Sequence, residues 1–205
     1  MTCTHLMATV IWPYTTWEWD VDFLLTKEEV VHLLYYRLAF YAHIFSSCVV
    51  LACGLFMFSR VVLAKWSRVH RYVGRLYVLL ILALSAPSGL VMAVYANGGF
   101  WAQLSFVILT GLWWWFTYMG YVTARLRDFA AHKRWMMRSY ALTLSAITLR
   151  IAQMILHGYF LFDPVSQYIF VSWGSWTVNL LVIEGFLRWR WRVVPKRVKP
   201  IIVGA

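Results

Sequence analysis

An all-α, polytopic membrane helical bundle is the fold class this sequence predicts, and three observations predict it. Apolar residues fill 62% of the 205 positions and charged residues only 13%, whereas soluble domains carry about 25% charged residues. Five windows are long and apolar enough to cross the hydrocarbon, which takes about 20 residues of helix. The cations behind a net charge of +11 gather in three segments that fall on one side of the membrane. A mean hydropathy of +0.65 leaves too little polar surface for a water-exposed globule. No hydrophilic stretch is long enough for a large extramembrane enzyme domain. A nucleic-acid partner is disfavoured as well, because it needs a basic face on a soluble fold.

The elements follow in chain order. Residues 1–35 form the expected extracytoplasmic N-terminal segment. This stretch has no cationic start of the kind a cleaved signal peptide needs, and Pro13 breaks its only short apolar run. Thr26-Lys27-Glu28-Glu29 reads as a helix start, with Thr26 capping and both acids in the first turn. A short interfacial helix is therefore expected before the first span. Residues 36–188 hold the transmembrane domain, with windows at about Leu38–Phe58, Tyr72–Tyr95, Gln103–Ala124, Ser139–Phe162 and Gln167–Leu187. Short connections make neighbouring helices antiparallel, and Pro87 is expected to kink the second helix near its end. Residues 189–205 form a basic cytoplasmic tail. No repeat or linker divides the chain, so one domain is expected.

Charge orients the bundle. Arg60, Lys65, Arg68, Arg71 and Arg75 follow the first span; Arg125, Arg127, Lys133, Arg134 and Arg138 follow the third. With six more in the tail, sixteen of nineteen cations share one side, and six of eight acids lie on the other. The positive-inside rule places the N-terminus outside and the C-terminus in the cytoplasm, in an inner membrane. Aromatic residues such as Trp66, Trp101, Trp135, Trp189 and Trp191 mark the boundaries. Trp113, Trp114 and Trp115 fall mid-span, where they either fill the bundle interior or face lipid. Cys3, Cys48 and Cys53 show neither a CxxC spacing nor a disulfide framework.

Ionisable groups inside spans are costly and are candidate functional residues. Here they are His43, Arg150, His157 and Glu184, with Asn179 as a polar neighbour. His43 and His157 fall at similar depth near the outer leaflet. Arg150 precedes His157 by seven residues, which puts it on the same helical face about 10 Å deeper. His70 and His132 lie at the cytoplasmic interface, each beside several arginines. Two histidines from different helices at one depth are what bis-His haem b ligation needs, with arginines such as Arg75, Arg138 and Arg150 available to the propionates. The same four histidines are the candidate metal ligands, and the outer pair also suits a proton relay. Equally, an interfacial histidine beside arginines often only contacts lipid phosphate. Arg150 needs a partner in any case: Asn179 lies at its level and Glu184 about 7 Å nearer the cytoplasm, although Glu184 can instead pair with Arg138.

The strings HRYVGRLYV from His70 and HKRWMMRSYALTLSAITLR from His132 to Arg150, with AHI around His43, resemble an uncharacterised, mainly bacterial multi-pass membrane family of unknown function. The resemblance covers about Leu38 to Glu184. It implies that His43, His70, Gly74, Arg75, His132, Trp135, Met136, Arg138 and Arg150 match the family pattern, which does not include His157. It brings no established activity. The histidine layout is analogous to two-haem b-type transmembrane cytochromes, and analogy of layout does not establish function.

The sequence thus leaves several functions to weigh. One is a b-type haem electron-transfer protein, with a quinone as possible partner. Another is a non-catalytic accessory or assembly subunit of a larger membrane complex. A third is a small transporter or lipid-binding protein using the basic cluster as an anion site. A hydrolase is disfavoured, since no GxSxG, HExxH or phosphate loop appears, and no catalytic residue is assigned.

Overall fold

The computed structural model describes residues 12–16, 22–159 and 163–193. Every element among them is helical. Two 3₁₀ turns, Trp12–Thr16 and Asp22–Lys27, and the short α1 (Glu28–Val31) precede α2 (Leu34–Met57). Then come α3 (Arg60–Lys65), α4 (Ser67–Leu80), a π-helical turn (Ile81–Ser85) and α5 (Ala86–Val94). The chain continues through α6 (Gly99–Arg125), α7 (Phe129–Thr143), α8 (Ser145–Tyr159) and α9 (Pro164–Val193).

Four stretches among the described residues are long and apolar enough to cross a membrane: Leu34–Met57, Ser67–Val94, Phe129–Leu156 and Pro164–Arg190. The remaining expected span, α6, is 27 residues long. Its tryptophans and tyrosines, with their polar N–H and O–H tips, keep its mean hydropathy below that of the others. Boundaries shift most in the fourth window. Its helix starts at Phe129 rather than near Ser139, because the Asp128 carboxylate caps it by accepting from the Ala131 N–H at 2.9 Å. Lys133, Arg134 and Arg138 hide that start from a hydropathy reading. Thr26 does not cap α1: its hydroxyl accepts from Asn97 Nδ2 at 3.1 Å, and Lys27 precedes the helix without a capping bond.

Pro87 disturbs the second span one turn earlier than a simple kink would. A proline has no N–H to give its ladder and its ring crowds the carbonyl four residues back. The helix widens to a π turn over Ile81–Ser85. Carbonyls there take side-chain donors from neighbouring helices: Leu82 accepts from Trp114 Nε1 at 3.3 Å, and Ser85 from His43 Nδ1 at 2.7 Å. With no water in the hydrocarbon, such substitutes are what permit a broken ladder.

Tight helix approach replaces the hydrophobic effect as the force that holds helices together in lipid. A Cβ at Gly54 on α2 would sit 2.0 Å from the Tyr140 ring of α7, so only glycine admits that contact. Small hydroxyls form the seams: Ser46 with Ser85 at 2.6 Å, and Ser105 donating to the Ser172 carbonyl at 2.9 Å. The central core gathers Val50, Met57, Tyr77, Ile81, Trp113, Met136 and Trp176. Trp113 is therefore interior, while Trp114 and Trp115 are exposed on the outside of the bundle. Cys48 and Cys53 are free thiols, and Cys3 lies outside the described residues.

A second cluster, Tyr14, Leu24, Tyr36, Phe40 and Tyr41, ties the N-terminal segment to the bundle end opposite the arginine-rich one. These are called the capped end and the basic end below. Buried Lys27 fixes the cap: its ammonium donates to the Tyr95 carbonyl and to Asn97 Oδ1. Burial lowers the Lys27 pKa to about 8.

Candidate functional site

The packing of α8 opens the site. This helix lies along α9 and touches the end of α7, but makes no comparable contact with α2, α5 or α6. The space left between them is a cavity of about 480 Å³, within the size range of ligand pockets. It runs from Thr26 and Asn97 at the capped end to Leu51, Trp113 and Leu142 in the middle of the bundle. Its walls are mainly apolar, and a few polar groups converge on it: His43, Ser47, Thr110, Arg150, Gln153 and Tyr168.

His43 is held firmly. A carbonyl only accepts, so the bond to Ser85 puts the proton on Nδ1 and leaves Nε2 as the nitrogen available to a ligand. This is the outer-sphere arrangement that orients imidazoles towards a metal or a proton donor. Gly89 makes room for the ring, because a Cβ there would lie 2.8 Å from His43 Cε1 and 2.9 Å from Nδ1. Arg150 reaches the same cavity from α8. Among the described residues its guanidinium has no hydrogen-bond or ion-pair partner, and Tyr168 stands within its electrostatic reach. The buried hydroxyl of Ser47 is also unpartnered.

The expected partners of Arg150 are engaged elsewhere. Asn179 Oδ1 accepts from Thr148 Oγ1 at 3.0 Å, and its Nδ2 donates to the Ala141 carbonyl at 3.1 Å. Glu184 takes Arg138, the alternative the sequence left open: Nε donates to Oε1, and Nη2 to Oε2 at 3.0 Å. The Arg138 guanidinium also lies over the Trp135 ring, 5.0 Å from its centroid.

The outer histidine pair is described on one side only. His157 belongs to α8, but its side chain lies outside the described residues. His70 on α4 and His132 on α7 do come close enough to interact electrostatically. His132 Nδ1 donates to the Gly120 carbonyl at 2.7 Å, repeating the His43 arrangement, while His70 Nδ1 is buried without a partner. Arg75 rests over Tyr72, 5.8 Å from the ring centroid. Among the described residues no group of three or more His, Cys, Asp or Glu side chains converges.

For haem, the fit is partial. His43 offers one oriented axial nitrogen beside a large cavity, and His70 with His132 offers two imidazoles but neither lines that cavity. Sequence reasoning missed Gln153, Tyr168, Thr110 and Ser47. Gln153 carried a legible signal, since it stands three residues after Arg150 in an apolar helix and so shares its face.

These helices and their buried polar groups define an integral membrane protein of the all-helical class. Residues 40–187 match the family described as predicted membrane protein (DUF2306), and the chain belongs to that family. No curated protein and no solved structure matches it.

Proposed function

We propose that the chain is a multi-pass membrane protein whose function is carried by the intramembrane cavity, as a binding site for a small lipid-soluble molecule. The observation that carries this reading is the convergence of His43, Arg150, Gln153 and Tyr168 on one mainly apolar cavity of about 480 Å³. Ligand sites are built in this way, apolar walls giving affinity and a few polar groups giving orientation. The charge pattern supports placing the basic end in the cytoplasm and the cavity mouth outside, with α6 as a fifth span in an inner membrane. Mass spectrometry of the detergent-purified protein tests the reading. A small molecule should co-purify, and Leu109→Trp, which fills the cavity wall, should lose it. A protein that carries nothing and gains no thermal stability from a total lipid extract overturns it.

Electron transfer is the second reading, favoured by the electrostatic interaction between His70 and His132, which come from two helices. A haem held there would supply one-electron chemistry. The chain's own contribution is to orient His132 through the Gly120 carbonyl. A quinone in the large cavity would then be a fitting partner. Purified protein without a Soret band and without iron removes the haem reading.

A further inference from the structure

We infer that the cavity takes a single-chain amphiphile bearing one anionic head group, bound at Arg150 with its tail towards the middle of the bundle. The inference rests on the cavity being a ligand site and adds the chemistry of the ligand. Arg150 supplies the charge argument. A guanidinium cannot lose its proton in a protein, and one within a membrane span needs a counter-charge, water or backbone acceptors. Arg150 lies in the Phe129–Leu156 span, and no described residue neutralises it. Among the described residues no carboxylate lines the cavity to compete with a ligand for it. Both acids in α1, Glu28 and Glu29, are exposed on the outside and do not line the cavity.

Depth supplies the orientation. His43 is nine residues from the start of α2 and Arg150 nine from the end of α8, so each backbone lies about 13 Å below the capped end. Leu51, seventeen residues along α2, lies about 25 Å down. The polar ring therefore stands above a floor of Leu51, Trp113 and Leu142, where the hydroxyls of Thr143, Ser145 and Ser175 are already bonded to backbone carbonyls. A head group at the ring and a tail on the floor match a lipid entering from the capped side. One chain fits a cavity of about 480 Å³, and two phospholipid tails do not. Arg150 would donate to the anion, and Gln153, Tyr168 and Ser47 would supply further donors to it.

Calorimetric titration of the full chain in a neutral detergent, with dodecanoate, dodecyl phosphate and dodecanol, tests the inference. Either anion should bind about tenfold to a hundredfold more tightly than dodecanol, the factor expected of a charge-assisted hydrogen bond. Whichever anion binds better identifies the source as a free fatty acid or a phosphate monoester. Arg150→Gln should remove that preference and leave dodecanol binding unchanged, while Arg150→Lys should keep much of it. Equal binding of all three to the native chain overturns the anionic head group and leaves the ligand site standing. No binding by any of the three, in a chain that does not co-purify with a small molecule, overturns both.

Discussion

Gly89→Ala is the sharpest probe of how His43 is held. The new Cβ would meet the imidazole at 2.8 and 2.9 Å, against an ordinary separation of about 3.5 Å. The ring must retreat by about 0.7 Å, which carries the bond from Nδ1 to Ser85 from 2.7 Å to about 3.4 Å, beyond the range of a good N–H···O bond. Losing that bond costs about 1 kcal/mol, and overpacking a filled site costs about 1–3 kcal/mol. Alanine's better helix propensity returns about 1 kcal/mol. The net is a loss of about 1–3 kcal/mol. Gly111 on α6 and Gly185 on α9 meet nothing within 4 Å, so alanine there should gain up to about 1 kcal/mol. Thermal unfolding in one detergent compares the three. A double-mutant cycle isolates the cause, because in a His43→Ala background the clash is gone and Gly89→Ala should turn neutral or stabilising. An equal cost of Gly89→Ala with and without the imidazole would show that the ring does not meet the new Cβ.

Other contacts carry expected outcomes of their own. Thr143→Val removes the acceptor of the buried Trp113 Nε1 at 3.0 Å and should cost about 2 kcal/mol. Tyr77→Phe should cost only about 0.6–1 kcal/mol, because Ser139 keeps Thr117 at 2.7 Å and Thr143 keeps Trp113; equal losses in thermal unfolding would contradict this. A cycle on Arg138→Met and Glu184→Gln should show coupling of about 1–2 kcal/mol, and additive effects would mean the pair does not form in the bilayer. Lys27 gives a pH signature. Its folded pKa is near 8, below the usual value of about 10.4, so its burial cost is complete below pH 8 and lifts as pH rises towards the unfolded value. Relative to Lys27→Gln, the native chain should therefore gain stability across that window, and a flat difference in unfolding temperature would place Lys27 in water.

Much of the bundle was legible because the bilayer imposes simple rules. Length and apolarity located Leu34–Met57, Ser67–Val94 and Pro164–Arg190 within a few residues of the expected windows. Where those rules failed, a specific contact intervened. The start of α7 was hidden by cations, one of which the structure pairs with Glu184 on α9. Thr26 looked like a cap, yet it bonds to Asn97, seventy-one residues away. The cavity could not be read from one-dimensional spacing, since it arises from α8 leaning on α9 and away from α2. His43 and Arg150 were singled out by their charge in apolar surroundings, and they do meet at one cavity. Their neighbours Thr110, Tyr168 and Ser47 look like ordinary residues of a membrane helix until the helices are placed.

Two of the arginines of the Phe129–Leu156 span, Arg138 and Arg150, show why the cavity is more than loose packing. Arg138 is neutralised within the chain, by a two-point pairing with Glu184 and a ring of Trp135 beneath it. Arg150, three turns further into the same span, has the amide of Asn179 and the hydroxyl of Thr148 in the same pair of helices, and these bond to each other instead. A bundle shaped by stability alone would turn that amide towards the charge, since leaving a guanidinium without acceptors in hydrocarbon is among the costliest arrangements available to it. The chain instead widens a helix before Pro87, leaves position 89 without a side chain, and uses the Ser85 carbonyl to fix His43 on the same void that Arg150 enters. The widened helix, Gly89 and Ser85 all serve to seat His43, while Arg150 comes from α8 and touches none of them. What they have in common is the cavity, and a molecule that brings an acceptor to Arg150 makes each of them favourable at once.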